Sequence, residues 1–350
     1  MSNIFGVTRT ELLEMLCTQN AYTVPQNIAT VCAGLLEKFG KAETDGCGNV
    51  LCKVGEHRPE RKTLLLNAHI DEIAMIVTHI DESGFLKVGK CGGIDVRVLP
   101  ASRVTIFHND GKTTSKYYGV LTSVPPHLQT DSSKAAKLDD LFIDTGLGKK
   151  AKELISQGDM VLIENRPLEM GSLVTAKALD DRACVMAVLL ALEKLVGKET
   201  AYNIEVLFSS GEELGSRGAK PGAFKSNADL ALIFDVTFGR VHGESDDEYC
   251  AIGGGAAIGV SPVLSRELTN ALTKTAENAG LPYQTEVMGG GTGTDADAIA
   301  VTKGGIPSCT VSIPIKYMHT PVEAVDMNDV ENTAALTALF CEGGDTVANR

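Results

Sequence analysis

The sequence predicts an α/β protein, with a mostly parallel sheet flanked by helices and a small β-barrel domain inserted into it. Two observations predict this class. Apolar runs of strand length alternate with stretches of helical spacing, and a region of short strand-like segments interrupts the alternation. Alternating strands and helices are typical of a parallel sheet covered by helices on both faces.

The elements follow from periodicity, in chain order. Helical spacing over residues 9–19 and 25–39 predicts two helices, after which "NVLCKV" and "TLLLNAHID" predict strands. The second strand is apolar almost throughout, as expected for a strand covered on both faces. Further strands are predicted at 203–208, 229–236 and 308–313, and further helices at 181–196, 264–279 and 328–341.

The inserted region spans residues 73–165. Its short runs "FLKVGK", "RVTIF", "YYGVLT" and "DMVLI" are separated by glycine, proline and Asp-Gly turn signals, which predicts a small barrel or sandwich. The polar segment at 123–140 is predicted as a loop. The chain is therefore divided into an α/β domain of residues 1–72 and 166–350 and an insertion of residues 73–165.

Composition narrows the function classes. The 350 residues are 43% hydrophobic, enough for a large core, and the net charge of −13 without a basic block argues against a nucleic-acid partner. No secretory signal or 18-residue apolar run is visible, so we expect a cytoplasmic protein with no membrane partner. Nine cysteines without a Cys-x-x-Cys pair are expected to be reduced thiols, mostly in the core.

Ionisable residues lie at the ends of predicted strands or at the start of a predicted helix. They are His69, Asp71, Asp180, Asp181, Glu212, Glu213, Asp235 and His319. Ligand sites in open α/β sheets lie beyond the carboxyl ends of the strands, so these side chains are expected to converge. Mixed nitrogen and oxygen ligands suit zinc, cobalt or manganese. A cation also explains the adjacent carboxylates of Glu212 and Glu213, one as ligand and the other acting on water.

Each feature has an ordinary alternative when taken alone. A single strand-end histidine or aspartate is commonly a cap or a surface residue, and "DDR" before an apolar helix is an ordinary N-cap. The glutamate pair could be the exposed first turn of a helix, stabilised by the helix dipole. The glycine-rich "MGGGTGTDADA" lacks the Lys-Ser/Thr of a P-loop and the full GxGxxG pattern, which argues against a phosphate site. The combination of motifs, and not any one of them, is specific.

Five motifs carry a resemblance to a known family. In the order "NAHID", "KALDDR", "GEELGSRGA", "DVT" and "KYMHTPVE", the chain resembles the dinuclear metallo-aminopeptidases of the glutamyl and tetrahedral (deblocking) aminopeptidase family, some members of which were formerly labelled endoglucanases. The similarity extends over nearly the whole chain and implies a zinc-exopeptidase-like fold. By the same resemblance the glycine-rich segment is expected to be a substrate-facing turn, with Asp295 as a contact or a helix cap.

The resemblance also implies roles for single residues. Two divalent metal ions per subunit, with zinc or cobalt expected, would be bound by His69, Asp180, Glu213, Asp235 and His319, with Asp180 bridging both ions. Glu212 would be the general base, and Asp71 would hold the His69 imidazole in its ligating tautomer. Gly211 and Cys184 stand where the family usually has Gln and Gly, so substrate preference or rate is open at these positions.

The implied activity is removal of N-terminal residues from short peptides by water activated between two metal ions. The resemblance further implies that the insertion dimerises and that six dimers form a dodecamer. The preferred N-terminal residue and the native metal stay open. Two alternatives are a glycoside hydrolase, disfavoured by the absence of Trp and by 5% aromatic residues, and a non-catalytic metal-binding assembly protein, disfavoured by the presence of Glu212.

Overall fold

The computed structural model describes residues 4–22, 27–125, 127, 136–243 and 249–343. The predicted α/β class with an inserted barrel is confirmed. Residues 25 and 26 of the second predicted helix, and half of the predicted loop at 123–140, lie outside the described residues.

The described strands form two sheets. In chain order they are β1 (Gly40–Thr44), β2 (Val50–Val54), β3 (Thr63–His69), β4 (Ala74–Ile80), β5 (Leu86–Cys91), β6 (Arg103–Asn109), β7 (Thr114–Ser123), β8 (Leu141–Asp144), β9 (Met160–Ile163), β10 (Leu168–Met170), β11 (Leu173–Ala176), β12 (Asn203–Ser209), β13 (Leu230–Phe238), β14 (Ala256–Val260), β15 (Tyr283–Val287), β16 (Ser308–Lys316) and β17 (Glu323–Asp326).

The larger sheet is mixed. Its path runs β1-β2-β12-β3-β13-β16-β17-β11-β10, with β14 beside β16 and β15 beside β14. Pairing is parallel from β12 through β3 and β13 to β16 and between β14 and β15, but antiparallel in the other pairs. The expectation of a mostly parallel sheet therefore holds for its centre only. Side-chain periodicity identifies a strand but not its direction, and hairpins such as β1–β2 add antiparallel strands at the edges.

The described helices are α1 (Arg9–Cys17), α2 (Ile28–Leu36), α3 (Ala151–Leu154), α4 (Leu179–Leu195), α5 (Ala219–Lys225), α6 (Arg266–Ala279), α7 (Ala296–Ile299) and α8 (Met327–Glu342), with short 3-10 helices at Val96–Val98, Leu138–Asp140 and Gly148–Lys150. Helix α3 and the 3-10 helices lie within the insertion, and the other helices flank the larger sheet. Helix α4 is buried along nearly its whole length between the sheet and α8. A helix that is apolar on nearly all sides requires such cover, and this position fixes the start of α4 at the carboxyl edge of the central strands.

The smaller sheet is a closed barrel in the order β4-β5-β8-β7-β6-β9. Its strands run from Ala74 to Ile163, within the predicted 73–165 insertion, and its interior is an apolar cluster that includes Met75, Val104 and Leu121. The chain leaves the larger sheet directly after β3 to form the barrel, and it returns to the larger sheet at β10. None of the helices in the described part of the chain has the length and apolar character that crossing a membrane requires.

Candidate metal centre

The predicted site residues surround one cavity at the carboxyl edge of the larger sheet. His69 is the last residue of β3, Glu212 and Glu213 follow β12, and Asp180 is the second residue of α4. Asp235 lies in β13, and His319 follows β16. A cavity of about 430 Å³ is lined by Asp180, Glu212, Glu213, Asp235 and His319, and the buried His69 contacts two of these carboxylates. The structure thus brings together all of the residues predicted as metal ligands.

Asp180 lies between the two imidazoles. Its Oδ1 is 2.9 Å from Nε2 of His69, and its Oδ2 is 3.3 Å from Nε2 of His319. Nε2 of His69 is also 3.9 Å from Oδ1 of Asp235, and Nε2 of His319 is 3.4 Å from Oε1 of Glu213. Each oxygen of Asp180 therefore faces a different group of donors, as a bridging carboxylate requires.

Two groups of donor atoms are compact enough to hold a cation. One consists of His69, Asp181 and Asp235 and the other of Asp180, Glu213 and His319, and within each group the donor atoms all lie within 4.8 Å of one another. Asp181 had no predicted role. Its Oδ2 accepts a hydrogen bond from the backbone N–H of His69 at 3.1 Å, while its buried Oδ1 has no hydrogen-bond partner among the described residues.

The negative charge of the donor residues suits the binding of divalent metal ions. The carboxylates of Asp180, Asp181 and Asp235 are buried, and the ion pairs that the described residues show for Asp180, Asp235 and Glu213 are made with histidine alone. Burial, followed by the charge of Asp181, raises the pKa of Asp235 well above its usual range. Buried carboxylates without a cationic partner are costly, so the site is suited to cations supplied from outside the chain.

The imidazoles respond to the same carboxylates. Hydrogen bonds to Asp180 and Glu213 raise the pKa of His319 to about 11. Burial opposes protonation of His69, but the surrounding carboxylates, Asp180 first among them, together outweigh burial and raise the pKa of His69 well above its ordinary value. Burial likewise opposes ionisation of Asp180, yet the two imidazoles hold its pKa below the usual range. Cation binding would displace these protons, because histidine ligates in its neutral form.

Glu212 shares the cavity but belongs to neither compact group. Burial raises its pKa to about 8, and the nearby Asp295 and Asp180 act in the same direction. Its backbone is fixed by Asp71, whose Oδ1 and Oδ2 accept hydrogen bonds from the N–H groups of Glu212 at 2.9 Å and Glu213 at 3.1 Å. A carboxyl group held near the predicted ligands, but outside both donor groups, could accept and donate a proton.

Asp71 therefore has a second contact besides the predicted one. Its Oδ1 lies 3.4 Å from Nδ1 of His69, longer than an ordinary hydrogen bond, whereas the contacts to the glutamate backbone are of normal length. The predicted orientation of the imidazole stays a prediction, while the structure shows Asp71 joining the end of β3 to the glutamate pair.

Glu323 is a site residue that sequence reasoning missed. Its buried carboxylate accepts hydrogen bonds from the backbone N–H groups of Asp180 at 3.1 Å and His319 at 2.9 Å. Two predicted ligands from distant parts of the chain are thereby held by one side chain. The available signal was an acidic residue four positions after His319 in the quoted motif, but its contact with Asp180 depends on the fold.

Two glycines let the barrel approach the site. A Cβ on Gly93 would lie 2.6 Å from Nδ1 of His319, and a Cβ on Gly92 would lie 2.9 Å from Oε2 of Glu213. Gly92 also has a φ of +86°, which L side chains rarely adopt. The segment after β5 can therefore pack directly against two predicted ligands only because it lacks side chains.

Three residues left open by the sequence are now placed. Cys184 is buried, and its thiol donates to the carbonyl of Asp235 at 3.0 Å, so it is a packed core thiol. Gly211 has a φ of +70°, so another residue there would be strained. Asp295 occupies the position before α7 without making a capping hydrogen bond, and its buried side chain accepts from the Ser209 hydroxyl. Asp295 therefore contacts Ser209 in the protein interior and does not cap the helix through its side chain.

Comparisons with known proteins find a family model that covers most of the chain. The model of the M42 glutamyl aminopeptidase family matches residues 48–336. A putative aminopeptidase of Acetivibrio thermocellus is 33% identical over 305 residues, covering 86% of this chain and 88% of the relative.

Solved structures share the fold over almost the full length. The aminopeptidase APDkam598 of the archaeon Desulfurococcus kamchatkensis superposes with a TM-score of 0.87 at 31% identity, covering 97% of this chain and 98% of that one. The TET1 peptidase of Pyrococcus horikoshii, which can assemble into a tetrahedron or a large octahedral shell, superposes with a TM-score of 0.80 at 28% identity, covering 95% and 98%.

Proposed function

The chain belongs to the family of M42 glutamyl aminopeptidases, and from this premise we propose that it is a two-metal enzyme that removes N-terminal residues from short peptides. Aminopeptidase activity follows from the family, and the finer mechanism is our proposal. The observation that supports it is the position of Asp180, with one carboxylate oxygen near each imidazole and Glu212 in the same cavity.

His69, Asp180 and Asp235 would hold one cation, and Asp180, Glu213 and His319 the other, with Asp181 as a further candidate ligand of the first. Zinc or cobalt suits this mixture of imidazole and carboxylate donors. When bound, such cations supply Lewis acidity, which polarises the scissile carbonyl and makes water easier to deprotonate.

Glu212 carries the proton. Its carboxylate accepts a proton from the attacking water at one Oε and delivers it to the nitrogen of the leaving peptide, so that the C–N bond breaks with a neutral amine as product. The Asp71 carboxylate fixes the backbone of Glu212 by accepting a hydrogen bond from the Glu212 N–H group. The Glu323 carboxylate accepts hydrogen bonds from the N–H groups of Asp180 and His319 in the same way. The protein therefore controls the geometry of base and ligands through buried carboxylates.

We further propose a homo-oligomer, a dodecamer built from dimers, that acts on short peptides in the cytoplasm. The insertion at 73–165 would make the dimer contact. It offers exposed apolar side chains, with Tyr118 68% and Val120 45% exposed, and Leu168 just beyond it is 62% exposed. These three residues line a groove of about 930 Å³ that lies apart from the metal centre. Exposed apolar patches of this kind commonly mark protein interfaces.

The deciding experiment measures hydrolysis of aminoacyl p-nitroanilides and of N-acetylated counterparts by the purified protein, after chelation and after readdition of zinc or cobalt. We expect metal-dependent cleavage of substrates with a free amino terminus only. Cleavage of cellulose instead would support the glycoside hydrolase, and metal binding without any hydrolysis would support the assembly protein.

Assembly is tested on the same preparation by light scattering. We expect a mass several times that of the 37.0 kDa chain, near that of a dodecamer. A fully active monomer at micromolar concentration would contradict the proposed oligomer without affecting the proposed chemistry.

A further inference from the structure

Glu286 is an acidic side chain in the candidate site to which the proposed mechanism gives no task. It lies on β15 and lines the same cavity as Glu212, Asp235 and His319. Along β15 its neighbours Thr285 and Val287 are exposed, while Glu286 is half-buried. Because side chains alternate along a strand, Glu286 faces inward toward the cavity.

Its carboxylate is held at a fixed place beside the metal centre. Ser312 donates a hydrogen bond to it at 2.9 Å, and Thr237 donates another. Ser312 is the register partner of Asp235 on the neighbouring parallel strand, and Thr237 lies two residues beyond Asp235. All three therefore lie on one face of the sheet, which fixes Glu286 next to the site.

The described part of the chain supplies no counter-charge for Glu286. Among the described residues no lysine, arginine or histidine makes an ion pair with it, and it belongs to neither compact donor group. Both of its hydrogen bonds come from neutral hydroxyls, which leaves acceptor capacity on its two oxygens. The cavity thus contains a preorganised anionic group in addition to the predicted ligands.

The rest of the cavity wall suits a long side chain. Phe238, Met288 and Met318 contribute apolar surface to it. Lysine and arginine have apolar stems that pack on such surfaces while their charged ends reach a polar partner. An acidic side chain would instead be repelled by Glu286, and an aliphatic one would leave that carboxylate unpaired.

We propose that Glu286 makes the cavity selective for peptides whose N-terminal residue is lysine or arginine, by pairing with its cationic end. The inference rests on the proposed aminopeptidase function and specifies the substrate class of that site.

A binding experiment tests the carboxylate without requiring turnover. L-Lysine and L-norleucine differ at the ammonium group, so their affinities for the metal-loaded oligomer are compared by titration calorimetry. We expect lysine to bind roughly 10–100-fold more tightly, the range for a hydrogen bond to a charged group. In Glu286→Gln this ratio should fall to about threefold or less, whereas the exposed control Glu60→Gln should keep it.

Kinetics test the same residue in the reaction. We expect lysyl p-nitroanilide to be preferred to the leucyl and glutamyl compounds, and Glu286→Gln to lower kcat/KM for the lysyl compound mainly through KM. The leucyl compound should change by about threefold or less. A uniform loss on all three substrates, or equal affinity of the wild type for lysine and norleucine, would overturn the proposal.

The two proposals fail in different ways. If no aminoacyl compound is cleaved under any metal condition, the proposed function is wrong, while the lysine-to-norleucine ratio still decides the role of Glu286. If Glu286→Gln does not fold, Glu286→Met removes the same charge from a site that already contains methionines, and its affinity ratio is read in the same way.

Discussion

The candidate metal centre and the barrel differ in which groups they bury. At the carboxyl edge of the larger sheet the buried groups include Asp180, Asp181, Asp235 and Glu323. Among the described residues of the barrel strands and their connections, the buried charged residue is Asp159, and it pairs with His108 at 2.9 Å. The barrel interior is otherwise an apolar cluster.

This difference indicates what each region contributes. Apolar burial stabilises a fold by itself, whereas buried carboxylates oppose folding until a counter-charge neutralises them. The barrel can therefore be stable without a ligand, while the stability of the sheet edge depends on what it binds. Substitutions in the two regions should therefore change different properties. At the carboxyl edge of the larger sheet they should change catalysis and metal content, whereas in the barrel they should change stability alone.

The largest expected effect is on catalysis. Glu212→Gln should lower kcat by roughly 10²–10⁴-fold, the range for loss of a general base, because the amide cannot accept the proton. Metal content, measured by elemental analysis, should be unchanged because Glu212 is outside both donor groups. Retention of half the wild-type activity would assign the base to another residue.

Asp180→Ala should act on the metal. Removal of the carboxylate that faces both imidazoles should leave fewer than two ions per chain, with activity lost in parallel. Elemental analysis after gel filtration measures this. Two ions retained in the variant would show that Asp180 has only a structural role at the start of α4.

The matched substitution in the barrel is Leu121→Ala. Leu121 is fully buried in the apolar cluster, so the change should lower the free energy of unfolding by roughly 2–5 kcal/mol. Denaturant unfolding monitored by circular dichroism measures the loss. Metal content and kcat of the folded protein should stay as in the wild type, and a change in either would show that the two regions are coupled.

Glu323→Gln should have the smallest effect at the site. The amide keeps one acceptor oxygen but loses the charge, so one of the bonds to the backbone of Asp180 and His319 should weaken. Loss of a residue that orients ligands typically lowers metal affinity by about 10–100-fold. Competition with a chromophoric chelator measures this, and unchanged affinity would limit Glu323 to a structural role.

The prediction from sequence succeeded where one segment carries its own signal. The apolar run before His69 and the helical spacing after Asp180 correspond to β3 and to α4, and five ordered motifs indicated the family. The directions of the outer strands were not predicted, because hairpin and crossover connections leave the same side-chain periodicity.

What the sequence determined by itself was therefore the fold class, the aminopeptidase family and the set of ionisable residues that converge. The tertiary structure alone decided how these residues contact one another. Glu323 accepts hydrogen bonds from the backbone of both Asp180 and His319, and Asp71 accepts one from the backbone of Glu212. Gly93 leaves the space that the His319 imidazole occupies. The physical reason is that a hydrogen bond or a steric contact depends on distances of a few tenths of an ångström between segments more than a hundred residues apart. Local periodicity contains no information on such distances.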